Sequence, residues 1–264
     1  MNIYKHELRL ALSSAMVYLV VIPIIGLIFI GLYPAFAQDS EQMVKMIQQF
    51  PKEVIAAFGI DPATIFTFDG FYAYIYLFIS IILGVAGMNS GIIAYSRENI
   101  DKTADFLLTK PVSRIKLASI KIAASITYMI LLNVFTTAIL YGVTKIFGNE
   151  TVDVTNFIMV SFGGLMISLM FAALGYLLAN LFWIKNPGMV TAGGVSFFYL
   201  MTTLSNLTEE KKYEWLSPFR YYDSTYILFN KAFEMDKLII SVLIIIVFAV
   251  VSVMVYNRRD IRQV

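Results

Sequence analysis

Six stretches of the chain contain no Asp, Glu, Lys or Arg: 10–38, 70–96, 122–144, 154–184, 186–208 and 238–257. Each reaches the roughly 20 residues that a helix needs to cross about 30 Å of hydrocarbon. A charge at mid-bilayer costs a few kcal/mol or more, so charges collect between such runs. With no water to satisfy them, the backbone N–H and C=O groups must pair within the segment, which selects helices over open strands. The pattern predicts an all-α, polytopic membrane protein with six transmembrane helices, spanning about 14–37, 70–94, 119–145, 155–183, 187–207 and 238–257. Buried helices of a large soluble core are the alternative, and six uninterrupted runs in 264 residues argue against it. The chain reads as one transmembrane domain, 1–264.

The connections are uneven. Outer segment 39–69 places Met43, Ile47, Phe50, Val54 and Phe58 at three- and four-residue spacing. That suggests an amphipathic helix on the outer leaflet, broken or bent at Pro51. Lys185-Asn186-Pro187-Gly188 makes a tight turn between the fourth and fifth runs. Outer segment 208–237 carries Tyr213, Trp215, Phe219, Tyr221, Tyr222, Tyr226 and Phe229. Such side chains favour headgroup depth, so this segment is expected to dip into the interface.

Composition agrees with the pattern: 59% of residues are hydrophobic and only 14% charged, where soluble domains carry about a quarter charged. Charge then gives the orientation. Segments 1–9, 97–121, Lys185 and 258–264 hold twelve of the 20 basic and five of the 18 acidic residues, a net +7. The remaining segments hold eight and thirteen, a net −5. Excess Lys and Arg mark the cytoplasmic side, so the chain is expected in the cell membrane with both termini cytoplasmic. The opening segment, with Lys5, Glu7 and Arg9, precedes an apolar run too long for a signal-peptide core, and it reads as part of a retained first span.

Several chemistries lack their residues. Cysteine is absent, which removes disulfides and thiol catalysis, and the single histidine, His6, leaves no histidine-based metal site or triad. No phosphate-binding G-x-x-x-x-G-K-[ST] loop occurs, so ATP chemistry is not expected within this chain. No carboxylate lies inside a run, which argues against a proton- or sodium-coupled carrier. Glu209-Glu210 stands in a charged loop and reads as solvated surface, and no basic run supports nucleic-acid binding. No catalytic, cofactor-binding or metal residue is assigned.

Small residues suggest helix contacts. Gly84, Gly87 and Gly91 share one face of the second run, Gly87 and Gly91 as a small-xxx-small pair, and Gly163-Gly164 and Gly193-Gly194 are weaker candidates. Pro23 is expected to kink the first run. Asn89, Asn133 and Asn180 read as interhelical hydrogen-bonding groups.

The inner segment 95–117 is the most informative. Ile100, Ala104, Leu107 and Leu108 share a helical face, Asp101, Lys102 and Asp105 lie away from it, and Pro111 ends the helix. A short amphipathic helix between two spans suits docking to a protein or to the membrane surface, while the periodicity alone fits a plain solvated loop equally well. Glu98, Thr103, Leu107-Leu108 and Pro111-Val112-Ser113-Arg114 together resemble permeases of type-2 ATP-binding-cassette (ABC) exporters, whose pattern runs roughly E-x-x-x-x-T-x-x-x-L-L-x-x-P-[VI]-S-R. Lys102 replaces the family's usual Gly before the Thr, and Ser217-Pro-Phe-Arg-Tyr221 before the last run is similar too. The sharp part of the likeness covers about twenty residues.

The resemblance implies a fold and partners. The segment matching Glu98–Arg114 would be a cytoplasmic coupling helix seated on a separate ATPase, and Asn2–Leu12 an N-terminal interfacial helix. Two ATPase subunits, which bind the ATP, and a second permease chain, the same or similar, would complete an exporter embedded in membrane lipid. The chain would need no cofactor of its own and would be no enzyme by itself. The alternative is a non-transporting polytopic protein, a sensor or assembly partner, that recruits a cytoplasmic protein through 95–117.

Overall fold

In a computed structural model, residues 3–38, 40–100, 113–147, 153–208 and 211–258 are described. Every regular element among them is an α-helix. The helices are α1 (Ile3–Gln38), α2 (Ser40–Ile47), α3 (Lys52–Ala57), α4 (Phe68–Ile100), α5 (Arg114–Phe147), α6 (Val154–Leu181) and α7 (Pro187–Thr208). Three short helices follow, α8 (Lys211–Glu214), α9 (Pro218–Tyr221) and α10 (Ser224–Asn230), before α11 (Met235–Arg258).

Five of these, α1, α4, α5, α6 and α11, are long and apolar enough to cross a membrane. Helix α7, formed from the fifth charge-free run, has 22 residues and falls outside that group. Thr191, Ser196, Thr202, Thr203, Ser205 and Asn206 lower its hydropathy although it carries no charge.

Local chemistry sets the ends. Asp153 caps α6, accepting from Thr155 N at 2.9 Å, and Asp223 caps α10, accepting from the N–H groups of Thr225 and Tyr226. Asn186 Oδ1 accepts from Met189 N at 3.3 Å, with Pro187 in the first helical position of α7, where its missing N–H costs nothing. Helix α3 ends on Gly59 at φ +65°; Gly59 N donates to Ala56 O and Ile60 N to Ile55 O, a Schellman closure.

Two sequence expectations meet a different arrangement. The N-terminal segment expected as a separate interfacial helix runs without a break into the first span, because nothing between Asn2 and Leu12 terminates a helix. At 36 residues, α1 extends about 54 Å, well beyond the hydrocarbon thickness. The aromatic outer segment also divides: Phe219, Tyr221 and Tyr222 are buried against other helices, while Trp215, Tyr226 and Phe229 stay exposed. Outer segment 39–69 does break at Pro51, into α2 and α3, with Met46, Phe50, Val54 and Phe58 exposed.

The core lies along α4 and α6, which pack on each other over their length. Two-thirds (67%) of the apolar window of α6 is buried, against 11% for α11, so α6 is central and α11 peripheral. Helix α1 pairs with α5, α11 lies on α6, and α7 lies on α4. Tyr72, Tyr76, Tyr128, Phe157 and Phe171 fill the centre. Buried amides join helices where no water can serve them. Asn133 Nδ2 donates to Ser161 O at 3.0 Å and Asn133 Oδ1 accepts from Ser161 Oγ at 2.6 Å, linking α5 to α6. Asn180 Nδ2 donates to Ser252 Oγ at 2.6 Å, linking α6 to α11.

Candidate functional site

Segment 95–117 joins α4 to α5, and the structure defines the base on which it stands. Glu98 and Ile100 fall in the last turn of α4; Thr103, Leu107, Leu108, Pro111 and Val112 lie outside the described residues. Ser113 and Arg114 open α5, where Ser113 Oγ accepts from Lys116 N at 3.3 Å.

Two long-range contacts clamp the helix ends on either side of that segment. The Tyr95 hydroxyl donates to Ala118 O at 3.4 Å, and Lys121 Nζ donates to Ala94 O at 2.6 Å. Lys121 is only 2% exposed, and its ammonium also lies 3.3 Å from Glu7 Oε1 on α1. The charge pattern placed Lys121 with the solvated inner charges; in the fold its stem packs inside the bundle and its head is held by a carboxylate and a carbonyl. A buried cation is tolerated only with such partners. Tyr4 adds a second tie from α1, donating to Thr127 Oγ1 at 2.8 Å. The sequence did not single out Glu7 or Lys121. Their signal was that Lys121 borders a charge-free run, and that Glu7 is the sole acid among residues 1–12.

The glycines marked in the sequence lie where α4 meets α6. A Cβ at Gly87 would run into the Ser168 carbonyl oxygen, one at Gly91 into the Ala172 carbonyl oxygen, and one at Gly84 would come 3.0 Å from the Phe171 ring. From the other helix, a Cβ at Gly175 would meet Met88 O. The two backbones approach to a separation that only glycine permits.

The end of the bundle opposite segment 95–117 is closed by 217–221. Ser217, fully buried, donates to Phe198 O at 2.8 Å and shares a hydrogen bond with Thr202, so it fastens this segment to α7. Phe219 packs on Phe171, their ring centroids 5.2 Å apart. Arg220 pairs with Asp223 at 2.8 Å and Glu214 at 3.2 Å, and Lys237 pairs with Glu214 at 2.9 Å and with Glu234. Partial burial alone would raise the Glu214 carboxyl, but Lys237 and Arg220 outweigh it and hold the group below its ordinary 4.5. Beside this cluster a cavity of about 220 Å³ opens between α4 and α7, with Asp61, Tyr74, Asn206 and Arg220 in its wall.

Among the described residues, no three His, Asp or Glu side chains converge as metal ligands. The arrangement is that of a polytopic helical membrane protein, with five helices long and apolar enough to cross a membrane among the described residues. The chain belongs to a family of membrane transport proteins: the family described as ABC-2 family transporter protein matches residues 1–261. No curated protein matches it. A member of this family is a transport permease associated with ATP-binding subunits, and it is not itself catalytic.

Proposed function

We infer that this chain is the permease subunit of an ABC exporter, working with a second permease chain, the same or similar, and two cytoplasmic ATPase subunits. The observation that carries this is the family match along nearly the whole chain, residues 1–261. Both termini are cytoplasmic and α7 serves as a sixth crossing. In support, the 22 residues of α7 extend about 33 Å, enough for the hydrocarbon. Its last turns pack beside α3, α8 and α9, at the end of the molecule away from the Lys185–Gly188 turn.

In this reading Glu98, Ile100, Thr103, Leu107, Leu108, Pro111, Val112, Ser113 and Arg114 form the coupling element. Leu107, Leu108 and Ile100 supply apolar docking area, each large side chain contributing up to about 1.5–3 kcal/mol if fully buried. Glu98 and Arg114 set register by charge. Because Tyr95 and Lys121 clamp α4 to α5, a push on the segment moves both helices together. The close α4–α6 contact and the Lys121–Glu7 pair extend that movement to α6 and α1.

The test is retention of the ATPase on a tagged permease. Leu107→Asp/Leu108→Asp places charge in an apolar groove and should release the ATPase while the permease stays monodisperse in detergent. Retention of ATPase and transport by that variant would remove the segment from the coupling role. The permease purified free of partners should hydrolyse no ATP above background.

A further inference from the structure

A furrow runs between α1 and α4 at the end of the molecule where α4 ends and α5 begins. Helix α1 packs closely along α5 but touches α4 less, so a gap is left between α1 and α4 with α5 as its floor. Small side chains keep it open: Ala11 and Ser14 on α1, Ala94 on α4 and Ala124 on α5. Glu7, Ser14, Asn89, Ser90 and Arg97 along the rim are partly accessible, whereas Lys121, Ser125 and Tyr128 on the floor are buried.

The groups gathered there favour an oxyanion. Among the described residues that line it, Arg97 and Lys121 bring two positive charges and Glu7 one negative, a net +1. Glu7 is taken by Lys121. Arg97, in the last turn of α4, has no acidic partner among the described residues. The Tyr128 hydroxyl is buried on the furrow floor and has no hydrogen-bond partner among the described residues. The Ser90–Ser125 hydroxyl pair, 3.0 Å apart, and the Asn89 amide add donors. An arginine fork beside hydroxyl and amide donors matches the geometry of a phosphate.

Size decides how much of the ligand enters. The cavity holds about 30 Å³, roughly twice the minimum that one water needs, so phosphate oxygens fit but a whole solute does not. The rest of the ligand must lie outside against α1 and α4, whose neighbouring side chains, Leu12, Met16 and Ile93, are apolar and accessible. A phospholipid meets that description: one negative phosphodiester within the furrow and acyl chains along the helices. Basic pockets between transmembrane helices are suited to such headgroups.

We propose that the furrow between α1 and α4 is a binding site for a phosphate group, presented by the headgroup of an anionic phospholipid. The site stands directly behind Ala94 and Lys121, so occupancy braces the α4–α5 clamp from the α1 side. It concerns binding by the permease alone and does not rest on coupling to an ATPase.

The experiment uses the purified full chain in detergent, read by native mass spectrometry and by thermal melting. The lipid probes are dioleoylphosphatidylglycerol and dioleoylphosphatidylcholine; inorganic phosphate and glycerol 3-phosphate are the soluble probes. The chain should retain phosphatidylglycerol about tenfold over phosphatidylcholine, the scale of one charge-assisted contact. Arg97→Gln should abolish that preference, and Lys185→Gln, a basic residue outside the furrow, should keep it. Ser14→Leu narrows the furrow without touching its charges and should also lose the lipid, which decides the matter if Arg97→Gln misfolds. Arg97-dependent binding of inorganic phosphate without lipid preference would keep the phosphate site and overturn its lipid source. Equal retention of both lipids with no binding of either soluble probe would overturn the proposal, as would a preference that survives Arg97→Gln and Ser14→Leu.

Discussion

At Gly91 a single added methyl group would meet the Ala172 carbonyl oxygen, whereas at Gly142 on α5 it would meet nothing within 4 Å. Gly91→Ala must therefore push α4 and α6 apart, at the cost of about 1–3 kcal/mol typical of overpacking. Gly142→Ala should leave the melting temperature in detergent unchanged. Equal melting of the two variants would show that the α4–α6 spacing is not set by glycine. The Lys121 ammonium offers a second comparison, because removing one member of a buried pair strands the other. Lys121→Met should lower the melting temperature clearly, and Glu7→Gln/Lys121→Met should recover part of the loss. Additive losses would show that the 3.3 Å contact carries no coupling. The glycine face was legible from the i, i+4 spacing alone. The carbonyl oxygens against it were not, since they belong to a helix some eighty residues away. Lys121 was misread for a related reason: a lysine at the edge of an apolar run looks solvated until its partner, more than a hundred residues earlier, is in place.

Each of the elements obeys its local sequence to a different degree. Pro51 separates α2 from α3 and Pro187 opens α7, as proline chemistry dictates, yet Pro23 and Pro34 both lie inside the continuous α1. Helices α8 to α10 follow from tertiary contacts more than from periodicity. Their placement depends on the charge cluster of Glu214, Arg220, Asp223, Glu234 and Lys237. Because Glu214 titrates below its ordinary 4.5 in the folded chain, its pairing stabilises fully above that value, and the stabilisation is lost as the pH falls through the lower, folded value. Thermal melts from pH 7 down to about 3 should show a steeper acid loss for the parent chain than for Glu214→Gln. Parallel curves would mean that the cluster does not hold the outer end. Segment 95–117 shows the opposite balance. Its pattern was the clearest in the sequence, but the partner proposed for it would be another polypeptide, which the fold of this chain does not specify.

For the whole molecule, orientation is the property most directly open to test. The chain lacks cysteine, so single cysteines report without background. Cysteines at Ser40, Asn149 and Thr208 should react with an impermeant reagent added to intact cells, and those at Thr109 and Gln263 should not. Outside labelling at Thr109 would reverse the topology, while protection at Thr208 would remove α7 as a crossing. The sequence by itself determined that this is an all-helical membrane protein, roughly where its long helices lie, and which short segment carries the family likeness. Those properties follow from the cost of placing charge and unpaired backbone in hydrocarbon, which each segment meets alone. Only the tertiary structure decided that α4 and α6 form the centre and that Lys121 ties three helices together. It likewise decided that three of the seven aromatics of 208–237 turn inward and that a basic furrow opens beside α1. The membrane environment makes almost every span apolar, so hydropathy cannot distinguish a lipid-facing side from a protein-facing one. That choice rests on close packing and on buried polar partners, which meet only when distant parts of the chain are brought together.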